Sequence, residues 1–169
     1  EDEVTCLLNF EQGATGVFTT TTGEAPGINR LEIAFDEGLV IYDSRDDFIT
    51  SIRNEKSVTQ AIRENAAFEK PATTEVRLPV GGDGGQHRAI LANFAAAILR
   101  GETLISPTSD GLRSVELANA MLLSGWTRKA VNLPISARGY RTRLAHKISG
   151  STFERNVRTA GVVDMDDSF

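Results

Sequence analysis

The amino-acid sequence predicts an α+β fold: a large, mostly antiparallel, open-faced sheet with helices packed on one face. Two observations support this prediction. In the first half of the chain, apolar and polar residues alternate in short runs separated by turn residues, which is typical of antiparallel strands. From Gln86 onward, apolar residues recur every three or four positions, which is the period of an amphipathic helix. A length of 169 residues, 40% of them hydrophobic, is enough for one domain with a core.

The strand predictions depend on alternation, β-branched residues and turns. Cys6 alternates with Val4 and Leu8, which indicates a buried strand residue and not a nucleophile. Residues 53–73 form a polar stretch to which the sequence assigns no local structure. The runs predicted as strands are Glu3–Phe10, Thr15–Thr22, Leu31–Phe35, Leu39–Tyr42, a run that begins at Phe48, and Thr74–Val80.

Three helices are predicted in the second half. The first carries an apolar stripe that we expect to cover one face of the sheet, and Gly101 is expected to end this helix. A second helix is expected from Pro107 to about Trp126, and a third from Ala137 to Ile148, with a short strand at Val131–Leu133 between them. The stripe of the first helix consists of His87, Ile90, Leu91, Phe94 and Ile98.

Charge is unevenly distributed along the chain. The formal net charge of -5 argues against a general nucleic-acid-binding protein. Residues 1–127 hold 10 basic and 19 acidic side chains, whereas residues 128–158 hold 8 basic and 1 acidic. The basic stretch faces a phosphate group, an acidic surface of a neighbouring subunit, or simply water. Its helically spaced cations are Arg138, Arg141, Arg143 and Lys147.

The sequence also bears on location and metal binding. No run approaches the roughly 20 apolar residues that a membrane-spanning helix needs. The chain opens on Glu-Asp-Glu, which is unlike a signal peptide, so we expect a cytoplasmic protein or a missing upstream part. Two distant histidines and one cysteine do not have the spacing of a zinc site.

A series of short features in a fixed order carries a family resemblance. Phe10–Ala14, Leu31-Glu32-Ile33 and Gly38 fit the sheet of this family. Over roughly residues 3–150, the chain resembles the C-terminal domain of the glucose-fructose oxidoreductase/inositol dehydrogenase/rhizopine catabolism (Gfo/Idh/MocA) family. The features downstream are His87, Asn93-Phe94, the Ala-Ile-Leu-x-Gly-x-x-Leu turn of Ala97–Leu104, Pro107 with Asp110-Gly111, Ser114–Ala120 and Val131-Asn132-Leu133-Pro134.

The resemblance implies that substrate binding and cofactor binding belong to different domains. Residues 1–150 would form the substrate-binding and oligomerisation domain, and residues 151–169 a C-terminal tail. NAD or NADP would be bound mainly by an N-terminal Rossmann domain of the same protein, which this chain does not contain. The resemblance further implies a homo-oligomer, such as a dimer, through the open sheet face, and a sugar, polyol or related hydroxyl compound as substrate. We therefore assign no catalytic, cofactor-binding or metal-binding residue here, and expect no nucleic-acid or membrane partner.

Two short motifs resemble known functional motifs without meeting the requirements of those motifs. The glycine-rich run Gly81–Gln86 precedes a helix, but Asp83 or His87 falls where Gly-x-Gly-x-x-Gly requires glycine, which favours a flexible connection. The triplet Glu69-Lys70-Pro71 matches the one that holds the family's catalytic lysine. In the family that triplet belongs to the nucleotide-binding domain, so we interpret this match as coincidence.

The candidate substrate-binding residues are His87, with Gln86, Arg30 and Tyr42 as weaker candidates. His87 follows the glycine loop at a helix start, where an imidazole suits hydrogen bonding to a sugar hydroxyl, although local capping or packing explains it as well. His146 is expected to be a surface residue. Two alternatives stay open: a stand-alone, non-enzymatic binding or assembly module, and a small isomerase or hydrolase using His87. The second is disfavoured because no carboxylate or nucleophile is visibly paired with that histidine.

Overall fold

The computed structural model describes residues 2–65, 70–82 and 84–153. In this part of the chain, six strands and four helices form an α+β fold with antiparallel, open sheets, which confirms the predicted fold class. The strands are divided between a two-stranded and a four-stranded sheet, where one large sheet was expected. Two compact units, residues 1–107 and 108–169, are described separately below.

The chain begins with an antiparallel hairpin of β1 (Glu3–Asn9) and β2 (Thr15–Thr21). The turn closes where the backbone N–H of Phe10 donates to the Ala14 carbonyl and that of Gly13 donates to the Phe10 carbonyl. Along β1 every second residue is half-buried, and Cys6 is among them. The predicted alternation is therefore present, and Cys6 lies on the more buried face.

The four-stranded sheet is a meander in the order β3-β4-β5-β6. Its tightest point is Gly38 at the β3–β4 turn, because a Cβ atom there would overlap the carbonyl oxygen of Ile52 on the neighbouring strand. Only glycine permits this close approach of two backbones. The strands are β3 (Arg30–Phe35), β4 (Gly38–Asp43), β5 (Phe48–Asn54) and β6 (Thr73–Pro79).

A short helix, α1 (Val58–Asn65), occupies part of the stretch that the sequence left unassigned. Its first turn is bound to the β3–β4 turn: the Asp36 carboxylate accepts hydrogen bonds from the backbone N–H and the hydroxyl of Thr59, each at 2.8 Å. These two bonds lower the pKa of Asp36 because they favour its charged form. The helix thus depends on a residue more than 20 positions away, which local sequence does not reveal.

One face of the four-stranded sheet is mostly apolar, and its polar members are Ser51, Arg53 and Thr74. Successive strand residues point to opposite faces, and the register places three residues of β3 beside apolar residues of β4, β5 and β6. Five side chains of this face, Leu31, Ile33, Phe35, Val76 and Leu78, are 48–57% exposed. We call this surface the apolar sheet face; its members are Leu31, Ile33, Phe35, Val40, Tyr42, Ile49, Val76 and Leu78.

Helix α2 (Gln86–Arg100) has the predicted bounds and ends at Gly101, whose φ of 72° is left-handed, as expected of a helix terminator. The Asn93 side chain fastens the following loop to the helix, since its Nδ2 donates to the Thr103 carbonyl and its Oδ1 accepts from the Ile105 N–H, each at 2.9 Å. The expectation that the apolar stripe covers a sheet face is wrong in this structure: Ile90, Leu91, Phe94 and Ile98 are 45–68% exposed.

The second unit contains α3 (Thr108–Thr127) and α4 (Ala137–Ser149). The ring of Trp126 on α3 stacks on Tyr140 of α4, with centroids 5.7 Å apart, and Lys147 lies over the Trp126 ring. The predicted strand at Val131–Leu133 is wrong, because the segment is irregular and has no strand to pair with among the described residues. Beyond this segment, the Ile135 N–H donates to the carboxylate of Glu116 on α3, which holds the chain against that helix.

No helix in the described part of the chain is both long and apolar enough to cross a membrane. Three parts of the chain that the sequence analysis mentioned lie outside the described residues. They are the tail from residue 154 onward, Glu69 of the Glu-Lys-Pro triplet and Asp83 of the glycine-rich run.

Candidate functional site

The two predicted site residues on α2 lie at its first turn. Gly85, at the N-cap, has a φ of 73°, and Gln86 has a φ of 42°, so the chain enters the helix through left-handed backbone. Gln86 and His87 are both exposed. Consecutive residues of a helix point in different directions, so their joint contact with one ligand stays a prediction.

Arg30 belongs to a charged cluster at the start of β3. Its Nε donates to Glu32 Oε1 at 2.6 Å, and its Nη1 lies 3.4 Å from Asp43 Oδ2. Asp43 also accepts two hydrogen bonds from the Arg45 guanidinium, at 2.9 and 2.7 Å, and one from the Arg45 backbone N–H. The Asp43 side chain is only 4% exposed, and its contacts with Arg45 hold the pKa of Asp43 well below the usual range. The cluster gives Arg30 a structural role at this end of the sheet.

Arg30 and Tyr42 do not converge. In the register of β3 and β4, Arg30 pairs with Asp43, whereas Tyr42 pairs with Leu31. Side chains of adjacent strand residues point to opposite faces, so Arg30 and Tyr42 lie on opposite faces of the sheet. The two residues therefore do not contact one ligand on one face, and the role of each in substrate binding stays a prediction.

The glycine loop does not form a dinucleotide site with its neighbours. It follows β6, which pairs antiparallel with β5, whereas the Rossmann fingerprint lies between parallel strands of a βαβ unit. A Cβ atom added at Gly82 or Gly84 would meet nothing within 4 Å, so no close backbone approach requires these glycines. The described part of this loop therefore lacks the parallel βαβ setting of the Rossmann fingerprint.

An open cavity of about 660 Å³ lies along α4, and all of its lining residues are exposed to water. It is lined by Ser136, Arg138, Gly139, Thr142, Arg143 and His146. The basic character of this helix was visible in the sequence, but the cavity and the participation of His146 were not, since the sequence indicated only a surface position. A second cavity of about 470 Å³ is lined in part by Trp126 and Val131, and it shares Arg143 with the first.

Within residues 2–65, 70–82 and 84–153, no cluster of three histidine, cysteine, aspartate or glutamate side chains is arranged to hold a metal ion. Comparison with known proteins gives no further assignment: no family model matches the chain, and no curated protein matches it.

Proposed function

We propose that this chain is the substrate-binding and oligomerisation domain of a cytoplasmic NAD(P)-dependent oxidoreductase that acts on a sugar, a polyol or a related hydroxyl compound. The observation that supports this best is the apolar sheet face. An antiparallel open sheet usually presents a polar face to water, whereas here five large apolar side chains of one face are about half exposed.

The oligomerisation role follows from the properties of that face. A contiguous apolar surface in contact with water is unfavourable, and covering it with the same surface of a second copy removes both from water at once. A stable interface of this kind needs about 800 Å² from each partner, so we expect residues around the sheet face to contribute to it as well. The second copy would be related by two-fold symmetry, giving a homodimer.

The substrate-binding role rests on Gln86 and His87. Both are exposed, both carry hydrogen-bonding groups suited to hydroxyls, and both directly follow the glycine loop. The cofactor and the hydride transfer are assigned to a Rossmann domain elsewhere in the same protein, since the described part of the glycine loop lacks the parallel βαβ setting of the Rossmann fingerprint.

The enzymatic part of the proposal is tested on the product of the complete reading frame that encodes this chain. We expect an upstream Gly-x-Gly-x-x-Gly domain, and reduction of NAD or NADP by one member of a panel of sugars and polyols, followed by nicotinamide absorbance. His87→Ala should raise KM for that substrate about tenfold, because it removes one hydrogen bond that is shielded from water in the substrate complex. Arg113→Ala on α3 is the control, and its KM should not change. If no dinucleotide-binding domain is encoded and no hydride is transferred, a stand-alone binding or assembly module replaces this proposal.

The oligomerisation part is tested by sedimentation equilibrium. Ile33→Lys and Val76→Lys each place a charge in the apolar sheet face, and we expect each to convert a dimer to a monomer. Leu112→Lys, an equally large change at an exposed residue of α3, should leave the dimer intact. A wild-type chain that is monomeric at high micromolar concentration would contradict the proposed interface, as would dimers that survive both sheet substitutions.

A further inference from the structure

The second unit carries positive charge that nothing in the described residues neutralises. The six ion pairs found among residues 2–65, 70–82 and 84–153 all lie between residues 30 and 102. Between Glu116 and Glu154 the sequence contains no aspartate or glutamate, and the Glu116 carboxylate, which lies near the start of α4, accepts from the Ile135 N–H and makes no ion pair among the described residues. In the described part of the chain, the guanidinium groups of Arg138 and Arg143 therefore make no ion pair.

Helical spacing brings part of this charge to one side of α4. Arg138, Thr142 and His146 follow one another at four-residue steps, and Arg143 lies beside them on the same side. Together they line the cavity of about 660 Å³. Like charges gathered around a concave surface repel one another, and a bound anion removes that repulsion.

The donors available in the cavity are side chains. The backbone N–H of Gly139, at the helix start, already donates to the Ser136 hydroxyl at 3.1 Å, and the Thr142 hydroxyl donates to the Arg138 carbonyl at 3.1 Å. The cavity therefore does not depend on the N-terminus of the helix. Its remaining donors are the guanidinium groups of Arg138 and Arg143, the imidazole of His146 and the O–H of Ser136.

We infer that this cavity binds the phosphoryl group of a small phosphorylated metabolite. A guanidinium presents paired N–H donors whose spacing matches two oxygens of a phosphate, so two arginines on one side of a cavity suit this anion better than a point-like one. Because the cavity is open to water, the phosphoryl group would contact the arginines while the rest of the metabolite extends into solvent. The net charge of -5 argues against an extended nucleic acid as the partner.

The test is isothermal titration calorimetry on the whole chain with glucose 6-phosphate, inorganic phosphate and, as the neutral counterpart, glucose. We expect the two phosphate compounds to bind and glucose not to bind. The double variant Arg138→Gln/Arg143→Gln should weaken glucose 6-phosphate binding about 100-fold, roughly tenfold for each lost charge-assisted contact. Arg143→Lys should weaken it less, since the charge stays and only the paired donors are lost.

The matched control is Arg113→Gln/Arg141→Gln, which removes the same charge from α3 and from the part of α4 that does not line the cavity. It should bind glucose 6-phosphate within about twofold of the wild type, which corresponds to the few tenths of a kcal/mol typical of distant surface changes. Equal losses in both double variants would show diffuse electrostatic attraction and overturn the inference. The inference would also be overturned if the wild-type chain binds neither phosphate compound. Vesicles that contain phosphatidylserine are titrated as well, and binding to them alone would likewise overturn it, because the partner would then be a membrane surface.

Circular dichroism and Trp126 emission verify that each variant is folded, and the single variant Arg143→Gln serves if the double variant is not. These titrations use neither a nicotinamide cofactor nor the apolar sheet face. A failure here therefore leaves the proposed function standing, and a failure of the proposed function leaves the phosphate site standing.

Discussion

The two units differ in how they place charge. In residues 1–107 part of the charge is paired, as in the cluster of Arg30, Asp43 and Arg45, and five large apolar side chains of one sheet face are about half exposed. In the described part of residues 108–169 the aromatic rings of Trp126 and Tyr140 pack on each other, whereas Arg138 and Arg143 of α4 make no ion pair. The comparison teaches that the two units offer different chemistry, and it is the reason that we propose an apolar partner for the first unit and an anionic one for the second.

The largest effect in this comparison is expected at Gly38, on which the sheet of the first unit depends. Gly38→Ala places a Cβ atom against the Ile52 carbonyl, so β4 and β5 must separate. We expect the free energy of unfolding of the sheet to fall by about 3 kcal/mol or more, measured from hydrogen exchange of the strand amides in urea. Gly81→Ala is the control, because its Cβ would meet nothing within 4 Å. Equal exchange rates in the two variants would show that the strands are not this close.

An intermediate effect is expected at the aromatic contact of the second unit. Tyr140→Ala removes the ring stacked on Trp126, and we expect the free energy of unfolding reported by Trp126 fluorescence to fall by about 2 kcal/mol. Since this is the only tryptophan, the signal comes from α3 alone. Tyr140→Phe keeps the ring and should keep the stability. A Tyr140→Ala chain as stable as the wild type would mean that the two helices are held together by other contacts.

The smallest of the three effects is expected at Asp43, because both of its arginine partners are exposed to water, which screens the interaction. The pKa of Asp43 is lower in the folded chain than in the unfolded one, so its contribution to stability is present above about pH 4 and is lost as the pH falls further. In thermal unfolding between pH 7 and pH 2, Asp43→Asn should lower Tm at pH 7 and show a smaller acid-induced decrease than the wild type. Asp47→Asn, at an exposed position four residues further along, should behave like the wild type. Identical pH profiles for Asp43→Asn and the wild type would contradict the role of the Asp43 carboxylate.

Most secondary structure was predictable because its signals are local. Alternation identified β1, a glycine marked the end of α2, and a proline marked the start of α3. Helix α1 was not predictable, because its first turn depends on Asp36, a residue of a distant turn. The false strand at Val131–Leu133 shows the converse: β-branched and leucine residues favour a strand, but a strand forms only where a neighbour accepts its hydrogen bonds.

The candidate sites show the same limit. Arg30 and Tyr42 looked compatible as partners in one cleft until the register placed Arg30 beside Asp43, on the other face from Tyr42. Register is a property of strand pairing, and no residue of either strand encodes it alone. The basic character of α4 was evident from the sequence, but the cavity was not, since it depends on the side-chain conformations of Arg138 and Arg143 as well as on their spacing.

The loop after α2 shows how an anchor constrains variation. The Asn93 amide bonds to the Thr103 carbonyl, which every residue type provides, and to the Ile105 N–H, which every residue type except proline provides. The loop is therefore free to change its side chains, and with them the surface it offers to other molecules, while its path stays the same. Asn93 has no such freedom, because a carboxylate would accept from Ile105 but could not donate to Thr103. One invariant amide would thus let a whole loop diversify.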